Sequence, residues 1–167
     1  MFPFSKQINV DEKLSVSFRE VLEYIYPLLT EERQSKIAKV ARQRIFRHAV
    51  VMENIYDRGN VSAVMRSAEA FGLANIHLIQ TFEKFKESQR TTAGADKWLE
   101  IAKWSNSSDL IREMKLQGKK IAVTYLDSSS APIESIDFNK ENIALVLGNE
   151  KDGVSPEMIA AADYKVI

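Results

Sequence analysis

The chain has 167 residues, 45% hydrophobic and 28% charged, with 23 Lys+Arg against 23 Asp+Glu for a formal net charge of +0. This balance supplies one sizeable core with a small appendage and argues against indiscriminate polyanion binding, while leaving room for a local basic surface. Zero cysteines exclude disulfides, thiolate metal sites and a cysteine nucleophile, and no metal centre is expected from His48 and His77, the two histidines. No apolar run is long enough to cross a membrane, and Met1–Lys6 lacks the sections of a signal peptide, so a cytoplasmic protein is expected.

In chain order, residues 1–48 read as a helical N-terminal extension. Residues 16–29 carry Phe18, Val21, Leu22, Tyr24, Ile25, Leu28 and Leu29 at helix-like spacing. Thr30 then caps a second helix with Glu31 and Glu32 in its first turn. Arg33, Lys36, Lys39, Arg42, Arg44 and Arg47 crowd the stretch that follows, and they fit either a solvated helix or phosphate contacts.

From residue 49 to 167 the pattern changes to strand and helix in alternation. Residues 49–53 form a short apolar strand. Asn60 is expected to cap a helix that buries Val61, Val64, Met65, Ala68 and Phe71 and stops at Gly72. Residues 75–79 are the next strand, followed by a polar stretch over 81–96 and a strand over 98–102. A helix over 108–117 ends at Gly118, and strands follow at 120–124 and 143–147. Ser155, Pro156 and Glu157 supply an N-cap, a first-position proline and a first-turn acid, and a last strand starts at Tyr164. The fold class is therefore α/β, a Rossmann-like parallel sheet with helices on both faces. Ligands of such sheets sit beyond the strands' carboxyl ends, where Glu53-Asn54, Thr124-Tyr125 and Gly148-Asn149-Glu150 fall.

No G-x-G-x-x-G follows a strand, and there is no Walker A loop. Gly148 and Gly153 alone signal only a turn. The string Leu147-Gly148-Asn149-Glu150-x-x-Gly153-Val154-Ser155 is more specific, because it orders a strand, a turn, one carboxylate and a helix cap. Arg66, six residues after Asn60, reads by itself either as a surface arginine paired with Glu69 or Glu150 or as a working residue.

The segment from Asn60 to Gly72 and the string from Leu145 to Ser155 resemble the first two signature motifs of the SPOUT superfamily, in its SpoU/TrmH branch of RNA ribose 2′-O-methyltransferases. The resemblance implies a trefoil-knotted fold, a homodimer, S-adenosylmethionine as donor and a ribose 2′-hydroxyl as acceptor. It makes Arg66 the catalytic arginine and gives Asn60 and Glu150 the task of orienting it and the RNA. It places Thr124, Tyr125, Gly148 and Ile167 at the donor. Arginine stays protonated in ordinary surroundings. Arg66 would act either as a base tuned by an RNA phosphate or as a charge stabilising the developing alkoxide.

The segment Thr92-Ala93-Gly94-Ala95-Asp96-Lys97-Trp98 is similar to one of tRNA-modifying members, which points to the D-loop guanosine of tRNA. Arg33, Lys36, Arg44, Arg47 and Lys97 are then the expected RNA contacts. Trp98 and Trp104 fit either a core position or base stacking. Alternatives are ribosomal RNA, the tRNA anticodon loop, a non-catalytic tRNA-binding module, or a generic flavodoxin-like nucleotide binder. The family's third motif is expected past Ile167, so the knot-forming segment is expected to be missing from these 167 residues.

Overall fold

The computed structural model describes residues 7–11, 14–80 and 94–167, with only the backbone of Ile8. Thr92 and Ala93 therefore lie outside the described residues. Two compact units result, Met1–Arg44 and Ile45–Ile167.

In the first unit, β1 (Gln7–Asn9) and β2 (Ser15–Ser17) pair antiparallel. The helix expected from residue 16 starts later, as α1 (Phe18–Ile25). Ser17 and Glu20 form a reciprocal capping box, which takes Val16 and Ser17 out of the helix and leaves them to the hairpin. A 3-10 turn, Tyr26–Leu28, holds Pro27, and α2 (Glu31–Arg42) is capped by Thr30 as its sequence implies. Gln34 Nε2 donates to the carbonyls of Tyr26 and Leu29, both at 3.0 Å, which ties the turn to α2.

The second unit is built on six parallel strands. They are β3 (Ile45–Glu53), β4 (Leu73–Ile79), β5 (Glu100–Trp104), β6 (Lys120–Thr124), β7 (Ile143–Leu147) and β8 (Tyr164–Val166), in the order β5-β4-β3-β7-β6-β8. Among the described residues three helices connect them: α3 (Arg58–Ala70), α4 (Ser107–Leu116) and α5 (Pro156–Ala161). Alternation along the strands splits the core into two faces. Ala49 and Val51 join Ile121, Val123, Ala144 and Val146 under Leu110 and Met114 of α4 and Met158 of α5. Val50 and Met52 turn the other way, onto Val61, Met65 and Ala68 of α3. Each fully buried Val, Ile, Leu or Met side chain among them contributes about 1.5–3 kcal/mol.

Three expectations shift. Asp57, not Asn60, caps α3 by accepting from Gly59 N at 2.5 Å, so Asn60 is a residue of the first helical turn. Phe71 is 78% exposed because the helix ends at Ala70 and its side chain leaves the buried stripe. The strand expected over 98–102 runs over 100–104, since Ala95–Trp98 first closes a 3-10 turn after Gly94 at φ 86°.

Strand β3 also starts four residues earlier than its apolar run. Ile45 pairs with Leu73 but Ala49 with Asn75, so residues 46–48 bulge out of the ladder. Their carbonyls find side-chain donors. Lys119 Nζ donates to Phe46 O (3.1 Å) and Arg47 O (2.8 Å), and Asn75 Nδ2 donates to Phe46 O (2.8 Å). Lys119 is 8% exposed, and burial pulls its ammonium below the usual lysine range.

Candidate active site

The strand order reverses between β3 and β7, which sit side by side although the chain leaves β3 outward through β4 and β5 before returning. A crevice opens beyond the carboxyl ends of strands at such a switch point. Here β3 ends in Glu53 and Asn54 and β7 runs into Gly148-Asn149-Glu150. Asn54 takes φ 52°, the left-handed region in which asparagine is among the tolerated residues, and so turns the chain from β3 toward α3.

The loop after β7 is fixed by its own backbone. Asn149 and Gly153 exchange N–H···O bonds of 3.0 and 3.1 Å. Asn149 Oδ1 accepts from Lys151 N (2.9 Å) and Asp152 N (2.6 Å). A Cβ on residue 148 would meet the Gly153 carbonyl carbon at 2.2 Å, so only glycine fits there. The tight hairpin holds up Glu150. Its Oε1 accepts from Asn60 Nδ2 at 2.6 Å, and its Oε2 accepts from Tyr56 N at 3.3 Å. The Asn60 amide above all, then the main-chain N–H groups of Glu150, Tyr56 and Asp57, hold the Glu150 carboxyl below the usual range. The carboxylate sits at the positive end of α3, which favours its charge.

The two sequence motifs are thus joined by one hydrogen bond between residues 90 positions apart. Arg66 is exposed on the same helix as Asn60, six residues on, which is about 9 Å along the axis and a third of a turn around it. Thr124, Tyr125 and Ile167 lie together at the neighbouring strand ends. Thr124 Oγ1 donates to Val146 O (3.1 Å), Tyr125 N to Val166 O (3.0 Å) and Ile167 N to Ala131 O (3.0 Å). Lys165 Nζ stands 5.4 Å from the Tyr125 ring centroid. Leu126 and Ile167 expose apolar surface at this edge.

The candidate basic residues divide between the two units. Arg33 and Lys36 are exposed one helical turn apart on α2 of the first unit, and Arg44 ends that unit half-buried. Lys97 is exposed on the 3-10 turn that packs against α3. Arg47 lies at the opposite, amino end of the sheet. Its guanidinium donates to Asn139 O (2.8 Å), Glu141 O (3.2 Å) and Asn142 Oδ1 (3.3 Å).

Sequence reasoning placed Glu53 at the strand end without giving it a role. It is 1% exposed and forms the floor of a cleft of about 460 Å³ that is also lined by Asn54, Tyr56, Asn106, Asn149 and Asp152. The available signal was a charged residue in phase with Ala49 and Val51 on a buried face. Among the described residues no helix is long and apolar enough to cross a membrane.

The domain is an open parallel α/β sheet in which the start of α3 and the loop after β7 are hydrogen-bonded at the switch point, the class of fold that takes ligands beyond its strand ends. Residues 47–167 match the SpoU rRNA Methylase family, and the chain belongs to that family. It is 31% identical over 138 residues to a Borreliella burgdorferi protein named tRNA (guanosine(18)-2′-O)-methyltransferase, a match covering 83% of this chain and 63% of that one. Its structure is similar to a crystal structure of the Aquifex aeolicus TrmH/SpoU tRNA modifying enzyme, with TM-score 0.75, 30% identity and coverage of 82% and 70%. It is also similar to an AdoMet-bound rRNA methyltransferase from Sinorhizobium meliloti, with TM-score 0.65, 27% identity and coverage of 71% and 46%. The chain thus spans less than two thirds of the Borreliella protein's length.

Proposed function

We propose that the protein transfers a methyl group from S-adenosylmethionine to a ribose 2′-hydroxyl of RNA, and that its substrate is the D-loop guanosine of tRNA. The observation that carries this reading is the 2.6 Å bond from Asn60 to Glu150, which assembles both motifs at the sheet's switch point. The names of the Borreliella and Aquifex relatives support tRNA, and the AdoMet-bound Sinorhizobium structure supports the donor.

The residues at the adjoining strand ends suit such a donor. Leu126 and Ile167 offer apolar surface to an adenine ring, and the main chain at Gly148, packed against Gly153, is a further donor contact in this reading. Thr124 and Tyr125 complete that edge. When bound, S-adenosylmethionine supplies an electrophilic sulfonium methyl. The ribose oxygen would bond to the methyl carbon as the carbon–sulfur bond breaks, with S-adenosylhomocysteine leaving and the hydroxyl proton passing to water. In this reading Arg66 donates to the oxygen as its negative charge builds. Asn60, with Nδ2 committed to Glu150, presents Oδ1 to the hydroxyl. Arg33, Lys36, Arg44 and Lys97 grip RNA phosphates, whereas Arg47 is spent on the loop before β7. The reading extends to a cytoplasmic homodimer.

The test is transfer of labelled methyl from S-adenosylmethionine to tRNA transcripts, with analysis of the modified nucleotide. Incorporation at guanosine 18, lost when that ribose is already 2′-O-methylated, is the expected result. Label confined to ribosomal RNA or to the anticodon loop would replace the substrate. RNA binding without any incorporation would leave a binding module.

A further inference from the structure

We infer that Glu53 is the positioning residue of this site: its buried carboxylate ties the end of the Gly148–Ser155 loop to β3 and so sets where Glu150 meets Asn60. The inference rests on the methyl-transfer reading for its kinetic consequence but not for its geometry.

Glu53 ends β3 on the face that carries Ala49 and Val51, where an apolar side chain is the natural occupant. The carboxylate is satisfied by three donors. Ser107 Oγ donates to Oε1 at 2.5 Å, Ser155 Oγ donates to Oε1 at 2.7 Å, and Ser155 N donates to Oε2 at 2.8 Å. Ser155 and Glu53 are 102 residues apart, so this is a tertiary tie and not a local turn. The Ser155 hydroxyl also accepts from Met158 N at 3.2 Å as the N-cap of α5. One carboxylate therefore fixes the starts of two helices and the downstream end of the loop.

The loop has few other degrees of freedom. Its upstream end leaves β7, whose register against β3 is set through Met52↔Leu147. Its middle is closed by the Asn149–Gly153 pair, and Gly148 is wedged against Gly153. With both ends held from β3, the place where Glu150 projects is decided by β3 itself. That strand also leads, through Asn54 and Tyr56, into the helix that carries Asn60. Glu53 therefore lies on a covalent and hydrogen-bonded route between the two partners, alongside the direct bond from Tyr56 N to Glu150 Oε2.

What the site asks of this residue is reach and acceptor geometry more than charge. A glutamine preserves the reach. Its carbonyl accepts from Ser155 N, and its amide donates to the two hydroxyl oxygens, which rotate to receive it. An aspartate keeps the charge but withdraws the carboxylate by about 1.5 Å, too far to hold both serines. Neither substitution opens a large cavity, so both variants are expected to fold.

The experiment compares Glu53→Asp with Glu53→Gln in the full chain, by steady-state methyl transfer to tRNA and by the NMR signals of the Asn60 side-chain amide without RNA or donor. Glu53→Asp should lower kcat by about 10- to 100-fold with donor KM within about 3-fold, as for an active group misplaced by about 1 Å. It should also shift the Asn60 amide signals. Glu53→Gln should stay within about 3-fold of the parent in kcat and leave those signals in place. The reverse order, with glutamine worse than aspartate, would show that charge is what the site needs and would overturn the inference. So would an unchanged Asn60 signal in Glu53→Asp. If the parent chain transfers no methyl to any RNA, the methyl-transfer reading fails by itself, and the amide signals alone decide this one.

Discussion

The two ends of the parallel sheet both bury polar side chains, and they use them in opposite ways. At the amino end, Lys119 and Asn75 donate to main-chain carbonyls of the same bulged segment, so they repair a local defect of one strand. At the carboxyl end, the buried Glu53 accepts from groups 54 and 102 residues away and the exposed Glu150 from one 90 residues away, and they join segments that would otherwise be independent. The first arrangement satisfies carbonyls that cannot be left dry. The second fixes the relative position of groups that must act together. Buried polarity alone therefore does not mark a working site. Polarity that links separate loops at a switch point does.

This contrast can be broken by moving activity and stability separately. The largest effect is expected at Arg66: Arg66→Ala should lower methyl transfer by about 1000-fold or more, while S-adenosylhomocysteine binding measured calorimetrically stays close to that of the parent. Comparable loss of both would remove Arg66 from the chemistry. At the opposite end, Lys119→Met should cost about 1–3 kcal/mol in urea unfolding, because Arg47 O loses its buried donor while Phe46 O keeps Asn75 Nδ2. Activity per folded molecule should not change. If it falls with stability held constant, the two ends are not separable.

Asn60→Ala should come next, with kcat down by about 30-fold and unfolding within about 0.5 kcal/mol, since Asn60 is exposed. The smallest effect concerns His77, whose Nδ1 accepts from Trp104 Nε1 at 3.0 Å and whose pKa burial pulls down to about 4. The unfolded imidazole titrates near 6.5, so between these values the unfolded chain binds the extra proton. Stability from this group is complete above about pH 6.5 and is lost as pH falls toward 4, by about 2 kcal/mol at pH 5. Unfolding of the parent and of His77→Gln across that window should diverge by this amount. Parallel curves would mean that His77 titrates normally in the fold.

Where structure follows from local chemistry, the chain could be read directly. Strands 120–124 and 143–147, and the Ser155-Pro156 helix start, occur where their residue patterns place them. Sites that depend on distant partners were less legible. Asp57 and Asn60 are both suitable caps. Asp57 takes the position by accepting from Gly59 N, and Asn60 falls in the first turn with its amide on Glu150, far along the chain. The pairing of the two motifs was readable only through their likeness to a family, and the task of Glu53 depends on two serines that no spacing connects to it. The bulge in β3 was hidden because its donors come from elsewhere in the sheet, Lys119 from the residue before β6 and Asn75 from within β4.

That bulge has a further consequence for how this chain tolerates changes in length. Between Ile45 and Ala49 it places three residues against the one, Ala74, between Leu73 and Asn75, an excess of two. An even excess preserves which way each later side chain points, so Val51 and Glu53 stay on one face and Val50 and Met52 on the other. Dropping or adding a single residue there would invert that order and send the Glu53 carboxylate to the α3 side, away from both serines. Changes by pairs would not. The amino end of β3 therefore acts as a parity gate, through which insertions and deletions reach the distant active site only when they come in odd numbers.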